Sequence, residues 1–149
     1  YYNNTLNSES KNLIQTHTWG VGSVVPDNND LAAQIKSEND TTLDGKIGLI
    51  TLSEYLRANT NTSQCGNYSL NQSNYSTCKT TNYLVPTLGN LWVISSNANN
   101  TVTVFYVSSS GLIGGVNAND SRGYSPTVYL KSDITLKGTG TETNPYTIN

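Results

Sequence analysis

The stretch "TVTVFYVSSSGLIGGV" at 101–116 constrains the fold more than any other part of the chain. Two runs rich in β-branched and aromatic residues, Val102–Val107 and Leu112–Val116, flank Ser109-Ser110-Gly111. Such runs around a short glycine turn read as an antiparallel hairpin. "LWVISS" at 91–96 reads as a further strand, and Thr127–Leu130 as a closing core strand that extends through Ile134–Leu136. The sheet is therefore concentrated in the second half of the chain.

The first half reads differently. Leu6, Leu13 and Ile14 with Ser8 or Ser10 as cap predict a helix over 6–16, ending before Gly20. Asp30 is placed to cap a short helix through Lys36, after a loop marked by Pro26 and the Asn-Asp cluster. "GKIGLIT" at 45–51 suits a short buried strand. Thr51 with Glu54 three residues later forms a capping box, and Leu52, Tyr55 and Leu56 share one face of the two-turn helix it starts. Residues 57–91 form a long irregular middle. Helices, a long loop and then a small antiparallel sheet make an α+β domain spanning 1–149. A β-sandwich would need strands at regular spacing from the N-terminus.

The long loop contains both cysteines, Cys65 and Cys78, in "CGNYSLNQSNYSTC". Nothing apolar in that stretch holds it together. A disulfide across it contributes about 3 kcal/mol by restricting the unfolded chain, and points to an oxidising compartment. A zinc site has no C-x-x-C to build on, and His17 is remote. The chain contains no Met and starts at Tyr1-Tyr2, which reads as a trimmed extracellular piece. No apolar run reaches the length of about 18 residues that spans a membrane.

Charge excludes other classes. The net charge is −2 with 12% charged residues, and the eight Lys and Arg are scattered, so no basic stripe exists for nucleic acid. Polarity comes instead from 21 Asn, 17 Ser and 20 Thr. The eight N-x-[ST] sequons, at Asn3, Asn39, Asn61, Asn67, Asn71, Asn74, Asn99 and Asn119, follow largely from that composition.

"GKIGLITLSEYLRA", "LWVISS", "VFYVSSSGLI" and "GYSPTVYLKSDITLKGTGTETNPYTI" together resemble a domain of surface and prepilin-associated proteins of gut-type Firmicutes. The resemblance runs from Trp19 onward and is most specific at the C-terminal block. The arrangement also resembles the C-type-lectin-like fold in its bacterial form, shared with sulfatase-modifying factors and the variable proteins of diversity-generating retroelements. That resemblance implies a late strand reached through a Gly-X-Arg turn. Here Gly-Tyr-Ser-Pro at 123–126 replaces the expected Gly-Val-Arg-Pro, and Trp92-Val93 replaces Trp-Thr. The final "KSDITLKGTGTETNPY" reads as a ribbon turned at Gly138 and Gly140 and pinned back on the body by Pro145-Tyr146.

Catalysis has little to stand on. His17, beside Trp19 at the end of the first helix, reads as a half-buried packing residue. Asp27, Asp30, Glu38, Asp40 and Asp44 fall within 18 residues and read as solvated loop and cap groups rather than as a glycosidase pair. No calcium loop with its Gly and terminal Glu is present. The chain is therefore expected to be no enzyme and to need no metal or cofactor. Tyr, Ser and Asn are the residue types of adaptable binding loops. Trp92, Ser96, Asn97, Asn99, Asn100, Tyr106, Asn117, Asn119, Arg122 and Tyr124 would converge on one ligand patch if the hairpin and the 122–126 turn share one end of the sheet. The expectation is an extracellular binding or adhesion domain on a bacterial surface, its partner a protein or glycan on another cell. The alternative is a structural pilin-like subunit that contacts neighbouring copies in an appendage.

Overall fold

The computed structural model describes residues 2–25, 30–61, 65, 78–85, 89–141 and 143–148. Two short helices come first, α1 (Tyr2–Thr5) and α2 (Ser8–Leu13). The single helix expected over 6–16 is thus divided. Asn7 is the reason: its side chain accepts a hydrogen bond from the Ser10 N–H at 2.8 Å and starts a new helix. The helix then stops at Leu13, because residues 13–15 pair with the C-terminal segment. Lys131 donates to the Leu13 carbonyl and Gln15 to the Tyr129 carbonyl. His17 consequently lies in a strand, β1 (His17–Gly20), and not at a helix end.

β1 pairs antiparallel with β3 (Thr42–Gly45), setting Trp19 opposite Leu43. Between them come β2 (Ser23–Val24) and α3 (Leu31–Asn39). Asp30 caps α3 as expected, accepting from the N–H groups of Ala32 and Ala33. α4 (Leu52–Arg57) begins with the expected capping box. Thr51 Oγ1 accepts from the Glu54 N–H at 3.1 Å, and Glu54 accepts in return from the Thr51 N–H at 2.7 Å. Leu52, Tyr55 and Leu56 are all fully buried.

A four-stranded sheet contains β2, β4 (Asn90–Asn97), β5 (Thr103–Ser108) and β6 (Ile113–Asn117) in that order. β2 runs parallel to β4, and the other neighbours are antiparallel. The hairpin at 101–116 is as expected. Gly111 sits at φ +79, and a Cβ there would lie 2.7 Å from Lys79 Cβ, so the turn needs glycine on both counts. α4 packs against one face of this sheet. The core consists of Val24, Leu52, Tyr55, Leu56, Val93, Phe105 and Val107 together with Cys65 and Cys78. The two sulfurs are at bonding distance and both residues are buried. The loop between them lies outside the described residues, with Asn67, Asn71 and Asn74; so do Pro26 and Asp27.

Two expected strands are corrected. Residues 45–51 form no strand of the sheet: β3 ends at Gly45, and beyond it only single contacts are made. Gly48 exchanges two backbone hydrogen bonds with Thr127, and Ile50 accepts from the Ile94 N–H. Thr127–Leu130 likewise makes isolated bridges, Thr127 to Gly48 and Leu130 to Ile14, and does not enter the four-stranded sheet. These two segments pair with each other through Gly48 and Thr127, and Leu130 pairs with Ile14, so that only Ile50 reaches β4, by a single hydrogen bond. The ribbon that follows is a small hairpin, β7 (Leu136–Lys137) and β8 (Thr147–Ile148), with Gly138 and Gly140 both at positive φ. Tyr146, 61% exposed, lies over Gly140 of the same ribbon, where a Cβ would meet its ring at 2.5 Å. No described helix is long and apolar enough to cross a membrane.

The 45–51 segment carries a sharp test. A Cβ on Gly48 would lie 2.5 Å from the Trp19 ring, and that ring is held by a hydrogen bond from its Nε1 to the Gly45 carbonyl at 3.0 Å. Gly48→Ala is expected to cost about 1–3 kcal/mol by overpacking. Urea denaturation checks it, and an unchanged midpoint would show that the ring yields.

Candidate functional site

The ten residues expected to form one patch separate into two groups. Trp92 and Tyr106 are direct cross-strand partners near the start of β4. The segment after β6 returns across the sheet to this end. There Gly123 bridges to Leu91, accepts from the Trp92 N–H at 2.9 Å and donates to the Asn90 carbonyl at 2.9 Å. Arg122 is thereby held over the Tyr106 ring, 5.0 Å from its centroid. Asp120 lies 3.7 Å from the Arg122 guanidinium. Tyr124 follows, 59% exposed.

The second group stands at the other end of the sheet. Ser96 and Asn97 close β4, and Asn117 pairs with Thr103 where β5 begins. Asn97 Oδ1 accepts from the Asn99 N–H at 2.9 Å, and Asn100 Oδ1 from the Val102 N–H at 3.1 Å. These are turn-building bonds of the Asx kind. Asn99, Asn100, Asn117 and Asn119 are exposed around them. Leu91, against which the 122–126 turn packs, and Asn97 are six residues apart on β4, roughly 20 Å at strand rise. The expected convergence of Tyr124 with Asn97–Asn100 is therefore corrected. Gly123 bonds at the beginning of β4, while the Asn-rich turn leaves from its end.

Beside the 122–126 turn lies a groove of about 330 Å³. Its floor is apolar, formed by Ile50, Leu91, Val93 and Val107, with Trp92 at its side. One wall is Tyr83, Leu84 and Val85; the other is Ser125 and Thr127. Tyr83 is 72% exposed and stands at the rim. An apolar floor with a few hydroxyls and an aromatic edge, at the small end of the size range for ligand pockets, is the form expected of a binding site. Sequence reasoning found Trp92 and the 122–126 turn but missed Tyr83–Val85. Those residues sit at the end of the irregular middle and carry no periodic pattern. Their position is set by buried asparagines: Asn82 donates to the Tyr55 carbonyl at 2.6 Å, and Asn59 to the Cys78 carbonyl at 2.6 Å.

A second cleft, of about 180 Å³, adjoins β1 and α4. His17 stacks on Tyr129 with ring centroids 3.6 Å apart, and meets Trp19 edge-on at 5.1 Å. The expected packing of His17 on Trp19 is present, and Tyr129 completes the cluster.

Of the carboxylates expected to be solvated, Asp30, Glu38 and Asp44 have structural partners. Asp30 caps α3, and Asp44 accepts from the Thr18 hydroxyl at 2.6 Å. Glu38 departs from the solvated reading: it is 1% exposed. Its carboxyl group accepts from the Ser53 N–H at 3.2 Å, the Ser95 hydroxyl at 2.6 Å and the Ser53 hydroxyl. Ser95 in turn accepts from the Leu52 N–H at 2.8 Å. One buried carboxyl thus ties α3, the start of α4 and β4 together. Among the described residues, no three His, Cys, Asp or Glu come close enough to hold a metal ion.

No family model, no curated protein and no solved structure matches the chain.

Proposed function

We propose that this chain is a non-enzymatic extracellular binding or adhesion domain of a bacterial surface or pilus-like protein, with a C-type-lectin-like arrangement, taking a protein or glycan ligand. The observation that carries the reading is the groove beside the 122–126 turn. It places exposed Tyr83 and the Ser125 and Thr127 walls around an apolar floor, at the β4 edge of the sheet. The binding patch is accordingly moved from the full set of ten residues to Trp92, Tyr83, Ser125 and Thr127, with Tyr124 at its margin. The Asn-rich turn at 97–100 is read as scaffold. The buried disulfide is compatible with an extracellular setting. Helices packed on one mainly antiparallel sheet, with a late return of the chain to β4 at Gly123, support the lectin-like assignment.

Arrays of glycans and of extracellular matrix and cell-surface proteins test the reading. Binding is expected for the wild-type chain and is expected to fall about tenfold or more in Tyr83→Ala, the scale of losing one aromatic contact at an interface. No binding to any array component, or equal binding by the variant, would refute it.

A further inference from the structure

The four-stranded sheet has two edges of very different character. On the β4 side, the edge is occupied along its length. β2 pairs with Ser96 and Asn97, Ile50 accepts from Ile94, and Gly123 binds at Asn90–Trp92. On the other side, β6 has no partner strand beyond β5 among the described residues.

The register shows which backbone groups that leaves. Ser108 donates to the Leu112 carbonyl and Ala118 to the Val102 carbonyl. In an antiparallel pair, hydrogen-bonded and non-bonded positions alternate. Leu112, Gly114 and Val116 therefore turn their backbone groups toward β5, and Ile113, Gly115 and Asn117 turn theirs outward. Gly115 and Asn117 are exposed, and no other described segment reaches this edge. Natural sheets guard such an edge with charge, proline or a bulge. Residues 112–118, "LIGGVNA", contain no charged residue and no proline, and the β5–β6 register runs without a shift.

We infer that the β6 edge pairs with β6 of a second copy, antiparallel about a two-fold axis at Gly115, to form a closed dimer with one continuous sheet. The strand fits itself in this register. Gly115 faces Gly115 of the other copy, and Ile113 faces Asn117, so all three outward N–H groups of each copy meet outward carbonyls. Leu112, 52% exposed, comes opposite Ala118 of the other copy, whose own partner on the β5 side is Val102, 56% exposed. Leu112, Ala118 of the other copy and Val102 beside it thus line one face of the continuous sheet at each end of the contact, about two strand spacings from Leu112 to Val102. No like charges meet within the paired segment. The contact is isologous and closes on itself, so it yields dimers and not filaments. It is also small, so the dimer is weak and populated toward about millimolar protein. This inference is independent of the groove reading: the groove lies at the opposite edge and stays open in the dimer.

Sedimentation of the intact chain across a concentration series, with residue-resolved amide hydrogen exchange at both ends of that series, tests it. Dimer is expected at high concentration, with exchange slowed severalfold at the Ile113, Gly115 and Asn117 amides and unchanged elsewhere on the sheet. Leu112→Lys, an exposed position, is expected to abolish the dimer without changing the melting temperature. A chain that stays monomeric throughout overturns the inference. So does a dimer whose protection maps elsewhere, one that Leu112→Lys leaves intact, or open filaments in place of dimers.

Discussion

Glu38→Ala is expected to lower stability by about 3–5 kcal/mol, a large part of what a domain this size possesses. The removed carboxyl group accepts from the Ser53 N–H and from the hydroxyls of Ser53 and Ser95, all buried. Each donor stranded without a partner costs about 1–3 kcal/mol, and the hydroxyls recover part of this by turning elsewhere. The melting temperature should fall by about 10–20 °C. Glu38→Gln keeps the shape and one acceptor oxygen, while a serine hydroxyl can rotate to accept from the new amide. Its loss should be about 1 kcal/mol. Urea denaturation of the two variants distinguishes them. A loss below about 1 kcal/mol in Glu38→Ala would mean that α3 is not anchored through this carboxyl group.

Removing the Cys65–Cys78 bond has the second large effect. The bond closes a loop of twelve residues with little of its own to bury, and both cysteines sit in the core against α4 and the sheet. Reduction, or the double change of Cys65 and Cys78 to Ala, should cost about 3 kcal/mol through the freedom returned to the unfolded chain. The melting temperature should drop by about 10 °C. The consequence for the groove is more specific. Asn59 anchors the Cys78 carbonyl and Asn82 the Tyr55 carbonyl, so the wall formed by Tyr83–Val85 hangs from the segment that the disulfide closes. Thermal melts with and without reductant measure the loss. Equal melting temperatures would show that the core packing alone holds Cys65 and Cys78.

The sequence was most legible where local chemistry and packing agree. The Thr51–Glu54 box, the Asp30 cap and the Gly111 turn are each decided by residues within a few positions of one another, and each stands as expected. It was least legible where distant segments compete. Residues 13–15 pair with the Tyr129–Lys131 segment, which ends the first helix early, and His17–Gly20 then has a partner in Thr42–Gly45. Thr127 and Gly48 choose each other over the sheet, which no periodicity in either segment reveals. The same limit applies to polar residues. Glu38 and Asn82 look like solvent-facing residues in sequence, but they are buried because their partners, Ser53, Ser95 and the Tyr55 carbonyl, are supplied by other elements. Of the candidate site, Trp92 and the 122–126 turn were picked out from the sequence, the turn as the Gly-Tyr-Ser-Pro entry to an expected strand. The opposite wall was hidden in the irregular middle.

The central claim is that ligand is taken at the groove beside the 122–126 turn. Backbone amide chemical shifts followed while an array-positive glycan or protein is titrated into the intact chain test it most directly. Progressive, saturable shifts are expected at Tyr83, Leu84, Leu91, Ser125 and Thr127, with Asn97–Asn100 unmoved. Shifts centred on the Asn-rich turn, or on the His17–Tyr129 cleft, would contradict it.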